Sequence, residues 1–120
     1  MAFFDKNFLN FFAELSVNND RDWFNANKTR FQNTVEKPFH QFVEAIIESA
    51  QQVDKRIVLT PKDAIFRIYR DTRFSLDKTP YKTHMSALIT PGGRKGMHES
   101  GMYLEMGCDH FRIYGGAYQP

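Results

Sequence analysis

The feature that most constrains the fold of this chain is a change in the spacing of its apolar residues near residue 55. Before it, apolar residues recur at steps of three and four, as on the buried face of a helix. After it, β-branched and aromatic residues alternate with polar ones, as in strands. The order predicts an α+β domain with N-terminal helices packed on a C-terminal antiparallel β-sheet. We expect a single domain over residues 1–120, helical over 5–54 and mainly β over 56–118.

The helical half divides into three predicted segments. The first carries an apolar stripe over residues 8–15, and Asn19 is a candidate N-cap for the second. Lys28 falls on the apolar stripe of that second segment, so it can cross toward the sheet. Pro38 should end or kink this helix because it lacks a backbone N–H. The apolar residues spaced over 39–50 predict a third helix.

The second half contains several short segments with the strand pattern. The sequence PGGRKG at 91–96 predicts a hairpin turn, because it follows a strand and no helical pattern comes after it. The predicted strands cover residues 56–60, 64–70, 81–90, 101–107 and 110–116.

Composition limits the function classes. A net charge of +2 does not by itself indicate nucleic-acid binding, so any basic surface must be local. The single cysteine excludes a disulfide within the chain and fits a reducing compartment. The four histidines lack the spacing of a metal site. Without a signal-peptide pattern or a membrane-length apolar run, we expect a soluble cytoplasmic protein with no membrane partner, metal or cofactor.

The stretch IFRIYRDTRFSLDKTPYKTH, residues 65–84, concentrates positive charge among aromatic residues. Its carboxylates, Asp71 and Asp77, can neutralise two of the five cations at 67–82, which leaves an excess of three. Guanidinium and ammonium groups in such excess suit a small anion or a phosphorylated ligand. Asp71 and Asp77 are predicted to orient the arginines. The predicted ligand contacts are Lys28, Arg70, Arg73, Lys78, Tyr81 and Lys82.

Two other interpretations of this cluster stay open. In the first, which we favour slightly, the charges are a salt-bridge staple that fastens the loop 71–79, and the protein is a structural or interaction domain. In the second, the interleaved aromatic and basic residues bind single-stranded nucleic acid through stacking and phosphate contacts. Whether the protein is an enzyme is open, because an aspartate between arginines has a lowered pKa and is a poor general base.

Three motifs carry a resemblance to a known family: NNDRDWFNANK, FRIYRDTRFSLDKTPYKTH and GGAYQP. From about Phe8 to the C-terminus they resemble domain of unknown function 2461, conserved hypothetical proteins of bacteria and fungi. The resemblance implies an α+β fold and a soluble protein, and it supplies no function. Members of that family continue with helical sequence after the glycine-tyrosine-proline segment, so this chain is expected to be an N-terminal portion. A sheet interrupted there would expose an edge, and we expect self-association through it.

Overall fold

A computed structural model describes residues 4–95 and 100–117 of the chain. It confirms the predicted fold class, with helices first and a three-stranded antiparallel sheet second. None of the helices in these two ranges is long and apolar enough to cross a bilayer. The helices are α1 Lys6–Val17, α2 Arg21–Ala26, α3 Lys28–Phe31, α4 Lys37–Val53 and α5 Pro61–Ala64. The strands are β1 His84–Ile89, β2 Ser100–Gly107 and β3 Phe111–Ala117.

The start of α2 differs from the prediction. Asp20 is the N-cap, because its carboxylate accepts a hydrogen bond of 2.8 Å from the backbone N–H of Trp23. Asn19 instead bonds to a remote segment. Its amide nitrogen donates to the Tyr81 carbonyl at 2.8 Å, and its amide oxygen accepts from the Tyr81 N–H at 3.0 Å. The predicted N-cap was therefore off by one residue, since both neighbours have side chains suited to capping.

Pro38 does not interrupt the helical path. A single π-helical turn, Gln32–Glu36, connects α3 to α4, and Pro38 lies within the first two residues of α4. The first turn of a helix tolerates a residue without a donor N–H. The expected break is thus a locally widened turn, and the helical backbone runs on from Lys28 to Val53.

The sheet has the order β1-β2-β3, and both pairings are antiparallel. Ala87 lies opposite Leu104, and Leu104 lies opposite Ile113. A 3₁₀ turn, Gly93–Lys95, lies in the predicted hairpin connection after β1. Two predicted strands, 56–60 and 64–70, are wrong as continuous strands. The first is irregular, with α5 directly after it, and the second makes only isolated bridges, Ile65 to Ala87 and Tyr69 to Tyr81.

The two bridges made by residues 64–70 differ in register, which interrupts the pairing. Three residues, 66–68, lie between Ile65 and Tyr69, whereas five, 82–86, lie between their partners Tyr81 and Ala87. The N–H of Arg70 donates to the Pro80 carbonyl, and Pro80 has no N–H with which to return that bond. The period-two pattern could not reveal the register of the partner segment.

Aromatic side chains fill the space between the helices and the sheet. Four phenylalanines are fully buried, and the ring of Phe24 stacks on that of Tyr81 with centroids 4.1 Å apart. Burial of such rings is the main stabilising contribution in a domain of this size. The sheet contributes Leu104, Met85, Ala87 and Ile89 to this core. The fully buried phenylalanines are Phe8, Phe11, Phe12 and Phe39.

Candidate functional site

The motif loop, residues 70–80, is held together by its own charges. One guanidinium nitrogen of Arg70 donates to the Thr79 carbonyl at 3.0 Å and to the Thr79 hydroxyl at 2.6 Å. The same nitrogen lies 3.2 Å from the Asp77 carboxylate. The Arg70 side chain is only 26 % exposed. Arg70 therefore links the start of the loop to Asp77 and Thr79 near its end.

The other charges of the motif loop also have partners within it. Arg73 forms a two-pronged pair with Asp71, at 3.0 and 2.9 Å, and its side chain is 76 % exposed. The Lys78 ammonium donates to the Thr72 carbonyl at 2.6 Å. The side-chain bond from Arg73 lowers the pKa of Asp71 to about 2. A carboxylate with so low a pKa is a poor general base near neutral pH.

Between the motif loop and α2 lies a cavity of about 890 Å³, here called the loop recess. Its charged lining consists of Arg21, Arg70 and Lys78 with Asp20 and Asp77, three cations against two carboxylates, an excess of one. Bonds from the Thr79 backbone N–H and hydroxyl, together with Arg70, lower the pKa of Asp77 and keep it charged. Arg70 and Lys78 already have acceptors, whereas Arg21 makes no ion pair in the described residues. The loop recess therefore offers an incoming anion one unpaired cation.

A second cavity lies between the helical segment 28–53 and residues 62–69 and is called the basic groove. It encloses about 770 Å³. Its cations are Lys28, Lys62, Arg67 and Arg94, against the single carboxylate of Glu36, an excess of three. Its apolar lining is Phe24, Phe31, Ile65, Phe66, Ile68, Tyr69 and Met85.

The cations of the basic groove differ from those of the motif loop in their partners. Within residues 4–95 and 100–117, Lys28, Lys62 and Arg67 make no ion pair with a carboxylate. Arg94 donates to the Asp63 carbonyl at 3.2 Å. The Asp63 carboxylate lies nearby. Its bonds to the Thr60 N–H and hydroxyl are the main cause of its lowered pKa, and attraction to Arg94 and Lys62 lowers the pKa further.

Arg67 is positioned by an aromatic ring. Its guanidinium carbon lies 5.0 Å from the ring centroid of Tyr69, a cation–π contact. A cation–π contact involves no acceptor atom, so the N–H groups of the guanidinium stay able to donate to another acceptor. The ring thus restrains Arg67 without using its hydrogen bonds.

The predicted ligand contacts are distributed over three places. Arg70, Lys78 and Tyr81 line the loop recess with Asp77, and Lys28 lies in the basic groove. Tyr81 is 4 % exposed and stacked in the core, so little of its ring is accessible. The Arg73–Asp71 pair and Lys82 line neither cavity. Lys82 lies over the Phe66 ring, and its partial burial lowers its pKa.

Sequence reasoning missed several residues of the basic groove, and one signal could have revealed part of it. Lys28, Gln32, Glu36 and His40 recur at every fourth residue, so they lie on successive turns of one helical face. This polar line runs beside the buried apolar stripe. The contributions of Lys62 and Arg94 come from distant segments, and no local pattern marks them.

A histidine–carboxylate cluster lies at the turn between β2 and β3. His110 Nδ1 is 2.7 Å from an Asp109 carboxylate oxygen, and His110 Nε2 contacts Glu105. Both ring nitrogens therefore face acceptors, which favours the doubly protonated ring, and the bond to Asp109 is the main cause of its raised pKa. Burial lowers the pKa of nearby His84. In the described parts of the chain, no three His, Cys, Asp or Glu residues are arranged to hold a metal ion.

Comparison with known proteins identifies the family and nothing narrower. The profile of the family described as conserved hypothetical protein, DUF2461, matches residues 7–120. The chain belongs to this family. The match covers nearly the whole chain, as the motifs at 18–28 and 66–84 predicted, and the DUF2461 description assigns no function. No curated protein and no solved structure was found to match.

Proposed function

We propose that this DUF2461 protein is a binding domain for a small anionic or phosphorylated ligand, and that the basic groove holds the ligand. The observation that carries the proposal is the set of three cations, Lys28, Lys62 and Arg67, which surround one cavity without carboxylate partners in the described residues. Positive groups that outnumber the nearby carboxylates repel each other, so an anion bound among them is stabilised.

Of the residues predicted from sequence, Lys28 contributes directly to this proposal, and Arg67 comes from the same basic cluster. Arg70 and Lys78 line the loop recess and not the basic groove, so the part we propose for them is to stabilise the motif loop. Asp71 and Asp77 keep the proposed role of orienting Arg73 and Arg70. The single cysteine is consistent with a reducing compartment, and we assign the protein to the cytoplasm.

Thermal unfolding with a panel of anions tests the proposal. The panel contains phosphate, sulfate, nucleotides and a short single-stranded oligonucleotide, applied to the wild type, Lys28→Gln and Arg67→Gln. A ligand at a hundred times its dissociation constant adds about 2.7 kcal/mol to the free energy of unfolding, which raises the melting temperature by several degrees. We expect that rise in the wild type and a clearly smaller one in both variants. If no anion in the panel raises the melting temperature, the proposal is wrong.

Salt dependence separates a small-ligand site from a nucleic-acid surface. Binding across several phosphates of a single strand should weaken with a logarithmic slope of about −0.7 per phosphate contacted. A ligand held only in the basic groove should show a shallow slope. A steep slope with the oligonucleotide and no shift with small anions would favour the nucleic-acid interpretation instead.

A further inference from the structure

The lining of the basic groove carries an inference about the kind of anion, and this inference rests on the proposed function. We propose that the groove takes an organic phosphate monoester with an aromatic body, rather than an inorganic anion. The phosphate lies among Lys28, Lys62 and Arg67, and the aromatic body lies against Phe66 and Tyr69.

The size of the cavity is the first support. The basic groove encloses about 770 Å³, which is within the range of roughly 300–1,000 Å³ that holds cofactors and drug-sized ligands. A single phosphate or sulfate ion would leave most of that space to water. A ligand that fits the cavity must therefore carry a substantial body beside its charged group.

The chemistry of the walls is the second support. More of the groove lining is apolar than polar, whereas the two kinds of surface are nearly balanced in the loop recess. Phe24, Phe31 and Met85 are almost completely buried beneath the groove, so the accessible apolar surface comes from the half-buried Ile65 and Phe66 and from Tyr69, which is 48 % exposed. Two of these three are rings, which favour a flat aromatic partner.

The charge pattern is the third support. A phosphate monoester carries about −1.5 to −2 charges at neutral pH, close to the two positive charges that remain when Glu36 is set against Lys28, Lys62 and Arg67. Glu36 lies in the same groove with Gln32 and His40 on the polar line of the helix. Its carboxylate repels a second anionic group and accepts a hydrogen bond from a hydroxyl or N–H on the body. The groove thus suits one charged head and a polar-edged ring.

Four probes test the inference by isothermal titration: inorganic phosphate, phenyl phosphate, 1-naphthyl phosphate and neutral 1-naphthol. We expect naphthyl phosphate to bind at least about 30-fold more tightly than inorganic phosphate, because the ring buries apolar surface. Phenyl phosphate should lie between them, and naphthol should bind far more weakly than its phosphate. Arg67→Gln should weaken every phosphate probe. Arg73→Gln, an exposed arginine outside the groove, should weaken none.

Two variants of Tyr69 isolate the ring. Tyr69→Ala should reduce the advantage of naphthyl phosphate over inorganic phosphate by about five-fold or more, and Tyr69→Phe should preserve it. If all three phosphates bind with equal affinity, and Arg67→Gln weakens that binding, the proposal of an aromatic body is wrong and the proposed anion-binding function is retained. Naphthol binding as tightly as its phosphate would overturn both, and so would no binding of any phosphate.

Discussion

The motif loop and the basic groove contain similar numbers of cations and use them in opposite ways. In the motif loop, Arg70 and Lys78 donate to backbone carbonyls, and Arg73 pairs with Asp71. In the groove, Lys28 and Arg67 have no carboxylate partner in the described residues. A cation whose donors already have acceptors contributes to stability, and one whose donors have no acceptor is available to a ligand. The difference separates a scaffold from a candidate site although both lie next to the same segment.

The sharpest test of this comparison exchanges one arginine in each region for glutamine. Arg70→Gln should lower the free energy of unfolding by about 2–3 kcal/mol, because a partly buried charged donor is lost and the Thr79 carbonyl loses a partner. Arg67→Gln should lower it by about 0.5–1 kcal/mol, the range of an exposed cation–π contact. Urea unfolding measures both. Equal losses in the two variants would remove the distinction between the regions.

Two lysine substitutions, one in each region, should have opposite effects. The substitution in the basic groove should weaken ligand binding, and the one in the motif loop should lower stability. Lys62→Gln should weaken binding of phosphate monoesters by about five- to ten-fold, since an unpaired charge beside the ligand is removed. Lys78→Gln should leave that binding unchanged and reduce stability by about 1 kcal/mol, because its bond to the Thr72 carbonyl is lost. Titration calorimetry and urea unfolding read the two effects. Weaker binding in Lys78→Gln would mean that the ligand reaches the loop recess.

His110 is also a cation paired with carboxylates, but unlike arginine it loses its charge near neutral pH. Its folded pKa is raised above 6.5, mainly by Asp109 and then by Glu105. Its contribution to stability is therefore complete below about pH 6.5 and is lost as the pH rises through the folded pKa. Urea unfolding from about pH 5.5 to 8.5 should show a decline that is smaller in His110→Gln.

His84 provides the control of opposite sign. Burial lowers its pKa, so its neutral form stabilises the folded state above the unfolded pKa, and that contribution is lost as the pH falls. In His84→Gln the loss of stability on acidification should be smaller than in the wild type. For His110, identical pH profiles of stability in the wild type and His110→Gln would show that the contacts with Asp109 and Glu105 do not stabilise its protonated ring.

The smallest effect is expected at Arg73. Arg73→Gln removes an exposed pair with Asp71, and the melting temperature should stay within about 1 °C because water screens such pairs strongly. Anion binding should also be unchanged, since Arg73 lines neither cavity. Differential scanning calorimetry checks the first expectation. A large fall in melting temperature would mean that the pair holds the motif loop as firmly as Arg70 does.

The ligand contacts predicted from sequence stay predictions, and the structure shows only where these residues lie. Lys28 lies in the basic groove together with Arg67, to which the sequence assigned no ligand role. Arg73, to which it assigned one, is exposed and paired with Asp71. A sequence shows where charged residues lie along the chain, but it does not show which of their hydrogen-bond donors already have acceptors. For Arg70, the acceptors depend on the path of the backbone around Thr79 and Asp77.

By itself, the sequence determined that helices precede the antiparallel sheet, and it located the basic segment. These follow from periodicity and residue type, which act over a few neighbouring positions. Only the tertiary structure decided that Asn19 pairs with Tyr81, that residues 64–70 do not continue as a strand, and that Lys28, Lys62, Arg67 and Arg94 share one cavity. The physical reason is distance along the chain: helices and extended segments form from local preferences, whereas a site forms where remote segments meet and leave some charges without partners.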